Sequence, residues 1–234
     1  MPKQSTIKIC IRWLACIVAG GTLTTNLFAE TSAKEEALAT WQNGLQQVST
    51  ISSDFKQEKR LALFRSTLHI HGRLFLSDDG SFAWETHDPM RHKLVVHDGE
   101  IRQWDEETRR IHTISMRDNP VAATIHEQMS AWFSGRFSDL SDTYEVTLES
   151  EPPVSLLFTP REGTPPASYV TEVQIWLRPD GQYLDRVKIE EKEGDTTLIT
   201  FTNTVINQTL PDSIWDVETL SDDTEALTAP ETAE

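Results

Sequence analysis

The chain has 234 residues, with 21 Lys and Arg set against 37 Asp and Glu, and a formal net charge of −16. So acidic a surface is repelled by phosphate backbones and by anionic headgroups, which argues against nucleic acid as a partner and against permanent residence on a membrane. Both cysteines, Cys10 and Cys16, fall within the first 29 residues.

Met1 to Ala29 starts with Lys3, Lys8 and Arg12, continues through an apolar run from Trp13 to Ala19, and ends in Leu27-Phe28-Ala29. This is the layout of a secretory signal peptide, with cleavage expected after Ala29. The apolar run is short for a membrane span. Removal of the segment leaves no thiol, so disulfides, zinc–cysteine sites and cysteine catalysis are excluded from the remainder. It also leaves 18 basic against 37 acidic residues, a net charge of about −19. The remaining ~205 residues suffice for one substantial core.

Leu38, Trp41, Leu45 and Val48 recur at helical spacing and predict a helix between Glu35 and Gln47. From Ile51 the period changes to two. Leu68, Ile70, Gly72, Leu74 and Leu76 share one strand face, and His69, His71, Arg73 and Phe75 share the other. Asp79-Gly80 makes a turn before Phe82 and Trp84. Leu94 to His97, Asp98-Gly99, and Ile101 to Trp104 read as a hairpin with a tight primed turn.

Pro120 announces a second helix, Val121 to Phe133, with the stripe Val121, Ile125, Met129, Trp132 and Phe133. Five strands are predicted after it: Tyr144 to Leu148, Val154 to Phe158, Val170 to Arg178, Tyr183 to Glu190 and Thr196 to Ile206. Pro152-Pro153 and Pro165-Pro166 mark loops. Residues 218–234 read as an acidic, disordered tail. The division is therefore a signal peptide over 1–29, one domain over 30–217, and the tail. The fold class is mainly β with helices (α+β), an antiparallel sheet with helices packed on one side.

Most recognisable chemistry is missing. There is no Gly-x-Ser-x-Gly elbow and no Gly-rich phosphate loop. His126-Glu127 begins a zinc-peptidase motif, but Ser130 stands where the second His is needed. His69 and His71 lie on one strand face without a third ligand, the pattern of a solvated face. Paired carboxylates such as Glu190-Glu191 are abundant because the chain is acidic, and none identifies a glycosidase. These readings predict a protein that is not an enzyme and uses no cofactor and no metal. What remains is large apolar side chains spread over both helices and several strands, which fit either a filled core or a ligand cavity.

Several short motifs lie in one order: the first helix, Phe55-Lys56-Gln57, Gly72-Arg73-Leu74, Phe82-Ala83-Trp84, Asp98-Gly99-Glu100-Ile101, and a late turn around Asp180-Gly181. Together they resemble the periplasmic outer-membrane lipoprotein carriers (LolA-like) over roughly Glu35 to Val217. The resemblance implies a curved, unclosed antiparallel sheet, or half barrel, covered by a helical lid. It implies a monomer in the periplasm that takes an acylated lipid or lipoprotein from an inner-membrane exporter to an outer-membrane acceptor. The apolar cavity for the acyl chains is then expected from Trp41, Phe55, Leu68, Ile70, Leu74, Phe82, Trp84, Leu94, Val96, Trp104, Ile125, Met129, Trp132 and Phe133. The same alignment places the carriers' functional arginine on Asp78. That departure, with Gln57 to Ala62, resembles a divergent branch that accompanies lipid or polyene exporters, and it implies a lipid-like cargo ahead of lipoprotein.

Overall fold

The computed structural model describes residues 38–63, 66–149, 155–178 and 180–218, apart from the side chains of residues 120–122 and 125. The expected signal peptide, the tail beyond residue 218, Pro152-Pro153 and the Ile125 side chain lie outside the described residues.

Eleven strands form one antiparallel sheet. They are β1 (Thr50–Arg60), β2 (Thr67–Ser77), β3 (Phe82–Asp88), β4 (His92–His97), β5 (Glu100–Asp105), β6 (Ile111–Ser115), β7 (Tyr144–Glu149), β8 (Ser155–Pro160), β9 (Val170–Leu177), β10 (Leu184–Glu191) and β11 (Thr196–Ile206). The order is β6-β5-β4-β3-β2-β1-β11-β10-β9-β8-β7. Two meanders therefore meet where β1 pairs with β11, and β6 and β7 are left as edges. The sheet is curved and does not close. The first helix, α1, covers residues 38–45, and α2 (Pro120–Phe133) lies in the one long connection, from β6 to β7.

The period-two pattern explains how the sheet covers itself on both sides. One face carries Phe55, Leu74, Phe82, Val96, Val173, Ile175, Val187 and Phe201 into a large cluster with Trp41 and Leu45 of α1 and Ala131 and Phe133 of α2. We call this the inner face. The outer face carries a smaller cluster of Phe75, Ala83 and Val95, closed by Ile214 and Val217. Ile214 belongs to a 3₁₀ turn after β11, Asp212–Trp215, whose Trp215 stacks on His97 with centroids 5.6 Å apart, and Val217 follows that turn. Burying such side chains contributes about 1.5–3 kcal/mol each, so the inner cluster is the main stabilising element.

Two backbone features fix the lid. The α2 helix ends at Gly135, whose φ of 71° lets the Arg136 amide return to the Ala131 carbonyl at 2.9 Å. A β-carbon at Gly135 would stand 2.8 Å from Leu45 Cβ, so glycine also lets the end of α2 press on α1. The predicted primed turn is present, with positive φ at Asp98 (53°) and Gly99 (75°).

Candidate functional site

The α2 helix does not fill the inner face. Between it and the β9–β11 arm lies an apolar cavity of about 350 Å³. Its roof is Gln128, Met129, Trp132 and Phe133 of α2. Its floor is Val173, Val187, Ile189, Ile199 and Phe201, with Trp84 of β3 on one side. Tyr169, Val170 and Glu191 stand at its margin. The alternation Val187-x-Ile189 on β10 and Ile199-x-Phe201 on β11 sends these side chains inward by the period of two.

Aromatic contacts hold the wall in shape. Phe55 and Trp84 lie with centroids 4.0 Å apart and planes 31° apart. Trp132 meets Tyr144 at 6.3 Å and Phe158 at 6.1 Å, and Phe133 meets Phe201 edge-on at 5.8 Å. Polar groups near the cavity are few. The Tyr144 hydroxyl donates to Gln128 Oε1 at 3.0 Å inside the protein. Burial, and to a lesser extent the neighbouring Tyr169, push the Tyr144 phenol well above its ordinary pKa, so it stays neutral. Trp132 Nε1 is buried with no hydrogen-bond partner among the described residues, which leaves a donor at the roof.

A second, polar cleft of about 460 Å³ separates α2 from the β2–β3 turn and is lined by Asp78, Asp79, Gly80, His126, Glu127, Arg136 and Asp139. It is the larger of the two, yet its charged lining cannot shield hydrocarbon. Burial acts to raise the Asp79 pKa, but hydrogen bonds from the Ser81 amide and from the Ser81 and Ser77 hydroxyls, with the charge of His97, hold it below the usual carboxylate value. His126 is not arranged as a metal ligand: its Nε2 donates to the Gly80 carbonyl at 2.8 Å. Among the described residues no group of three or more His, Cys, Asp or Glu is placed to hold a metal ion, and no helix is long and apolar enough to cross a membrane.

Residues 46–218 match the family described as outer membrane lipoprotein carrier protein LolA. The chain belongs to the LolA family. An outer-membrane lipoprotein carrier protein of Chromohalobacter salexigens is 24% identical over 198 residues, covering 84% of this chain and 87% of that protein. Among solved structures, a DUF1329 family protein from Desulfovibrio piger matches with a TM-score of 0.47 and 13% identity, over 81% of this chain and 98% of that one. A putative outer membrane lipoprotein-sorting protein domain from Vibrio parahaemolyticus matches with a TM-score of 0.42 and 12% identity, over 78% and 97%.

Within this LolA-like sheet the expected cavity residues divide into four groups. Trp84, Met129, Trp132 and Phe133 line the cavity. Trp41, Phe55, Leu74, Phe82 and Val96 are buried in the inner cluster beside it, with Ile70 and Leu94 packed against them. Leu68 is exposed farther along the Leu74 face of β2. Trp104 packs with Phe75, Ala83 and Val95 on the outer face, across the sheet from the cavity. Val173, Val187, Ile189, Ile199 and Phe201 were not among the expected residues. Their strands were recognised, and the same alternation points them inward.

Proposed function

We propose that this LolA family member is a periplasmic carrier that shields the acyl chains of a lipid or lipoprotein and ferries them from the inner to the outer membrane. The observation that carries this reading is the apolar cavity between α2 and the β9–β11 arm. The basic–apolar–small layout of Met1 to Ala29 supports export, and family membership supports a lipid or lipoprotein cargo.

The physics required is modest. Exposing a 16-carbon chain to water costs roughly 12 kcal/mol at about 0.8 kcal/mol per methylene, so free transit of such a cargo is negligible. A carrier needs apolar cover comparable to a bilayer and a lid that opens. Transfer is then nearly isoenergetic, and direction comes from the affinity of the next acceptor. Neither a cofactor nor covalent chemistry enters this scheme. Donor and acceptor are transient protein partners, and the carrier works as a monomer.

The deciding experiment is native mass spectrometry of the protein purified from its own cells. A co-purifying acylated species, displaced by added long-chain lipid, is expected. Protein that carries no lipid and shows no saturable acyl binding would be an envelope scaffold of the same fold, and the carrier reading would fail.

A further inference from the structure

We propose that the cavity encloses one acyl chain at a time and that Trp84 is the wall that sets this limit, so the preferred cargo is an amphiphile with a single acyl chain. The inference deepens the carrier reading and rests on it. A methylene takes up about as much space as a water molecule, roughly 30 Å³. The cavity volume of about 350 Å³ therefore holds about a dozen methylenes, enough for one chain and not for two.

The wall is built from the sheet. Among the described lining residues, Trp84 alone comes from strands β1 to β6. On β3 it stands between its pairing partners, Leu74 of β2 and Leu94 of β4. Its indole leans across β2 onto the Phe55 ring, with centroids 4.0 Å apart, and Phe82 stacks beside it at 6.2 Å. Gly72, paired with Phe55, leaves the room for this, since a β-carbon there would meet the Phe55 ring at 2.7 Å. On the other side of Trp84 the inner face stays apolar, with Leu94, Ile101 and Met116 partly buried against the core. Apolar surface thus lies on both sides of the indole, and the cavity occupies only the β9–β11 side.

Raising the roof for a second chain would break several contacts at once. Trp132 packs edge-on to Phe158 at 6.1 Å, Phe133 meets Phe201 at 5.8 Å, and the end of α2 is pressed on Leu45 at Gly135. The lining also decides which part of the cargo enters. Gln128 Oε1 already accepts from the Tyr144 hydroxyl, and Glu191, the one charged group among the described lining residues, stands at the margin. A polar headgroup would find no free partner inside, so it stays at the margin and the chain alone goes in. A second chain on the same headgroup would remain in water and add nothing to the affinity.

The test is a titration of the purified protein with lysophosphatidylcholines of rising chain length, kept below the concentrations at which they form micelles. Tryptophan fluorescence gives the affinity and native mass spectrometry the number bound. Wild type is expected to bind one molecule, with affinity rising about fourfold per added methylene up to about a dozen carbons and little beyond. Trp84→Ala should join the two sides of the inner face, so that two dodecanoyl chains bind or the rise extends past hexadecanoyl. Val187→Phe adds bulk to the cavity floor and should end the rise about two to four carbons earlier, which keeps the test decisive should Trp84→Ala fail to fold. Wild type that binds two chains, or whose affinity climbs undiminished to octadecanoyl, overturns the proposal and leaves the carrier reading standing. So does a folded Trp84→Ala or Val187→Phe that keeps the wild-type limit. Absence of saturable binding at every chain length would remove both.

Discussion

The imidazole of His126 leaves α2 and bonds the backbone of Gly80, Nε2 to carbonyl oxygen at 2.8 Å. A carbonyl only accepts, so the Nε2 position carries the proton. Of the hydrogen bonds described, this one joins the middle of the lid to the β2–β3 turn. His126→Ala should cost about 1 kcal/mol of stability. Its larger effect should be on motion: amide exchange across Pro120–Phe133 should quicken, and a bound acyl probe should enter and leave faster. Unchanged exchange over that segment would show that packing alone closes the lid.

Phe55 and Gly72 face each other across β1 and β2, and the Phe55 ring covers the glycine. A β-carbon at Gly72 would lie 1.8 Å from the Glu85 carbonyl oxygen and 2.7 Å from the Phe55 ring. Gly72→Ala must therefore push strands apart or displace Phe55 from Trp84. We expect about 3 kcal/mol of destabilisation, at the upper end for overpacking. Phe55→Ala should cost a similar ~3–5 kcal/mol by leaving a void. Denaturant melts of both variants check this, and a neutral Gly72→Ala would refute the steric argument.

That pair also shows how much was legible in the sequence. Phe-x-Gln, Gly-x-Leu and Phe-x-Trp stand out because Phe55 packs against both Gly72 and Trp84. Thr196 to Ile206 was predicted as a strand with the bounds of β11. The β6 strand was not predicted: Ile111 and Ile114 are exposed at an open edge, so no buried face imposes a period of two. Trp104 lies across the sheet from the cavity because β5 carries one large apolar residue of each parity, Ile101 toward the inner cluster and Trp104 toward the outer one, so its own alternation names neither face. The turn Asp212–Trp215 hides in acidic sequence, yet Ile214 and Val217 are buried on the outer face.

The Tyr144 phenol gives a pH signature. Its pKa is raised in the fold by burial, above the ordinary value of 10 that it regains on unfolding. The neutral form is therefore favoured by folding. Its contribution is complete below pH 10 and is lost as pH rises, because the unfolded chain then gives up a proton that the folded chain keeps. Stability should fall above pH 10, and Tyr144→Phe should flatten that fall. At neutral pH the same variant should cost about 1–2 kcal/mol by leaving the buried Gln128 without its donor. Chemical melts at neutral and alkaline pH provide the comparison.

Met129 and Trp132 test the cavity itself. A carboxylate placed in the roof by Met129→Glu or Trp132→Glu has no cation among the cavity's lining residues, so acyl binding should fall at least about a hundredfold. The far-ultraviolet circular dichroism should stay native. Long-chain lipid should change the fluorescence of Trp84 and Trp132, which line the cavity, and not that of Trp104 on the outer face. Single-tryptophan replacements separate the three signals. A response that survives loss of both Trp84 and Trp132 would place the ligand elsewhere.

Asp78 bears on which cargo is carried. The resemblance to lipoprotein carriers places their functional arginine here, and a carboxylate supplies neither its positive charge nor its hydrogen-bond donors. Asp78 is exposed, its amide donates to the Ser49 carbonyl at 2.8 Å, and its side chain lines the polar cleft beside α2. Arg136 lines the same cleft from the chain just beyond α2, so the cation stands on the lid's side. Asp78→Arg would enter among Asp79, Glu127 and Asp139, and the backbone needs no change to admit it. We therefore expect the wild type to fail to replace a housekeeping lipoprotein carrier in depleted cells, and Asp78→Arg to restore growth in part. Full rescue by wild type would make lipoprotein the cargo and the substitution neutral. Failure of both, with folded and exported protein, would assign the specificity to the cavity and leave a non-lipoprotein lipid as the cargo.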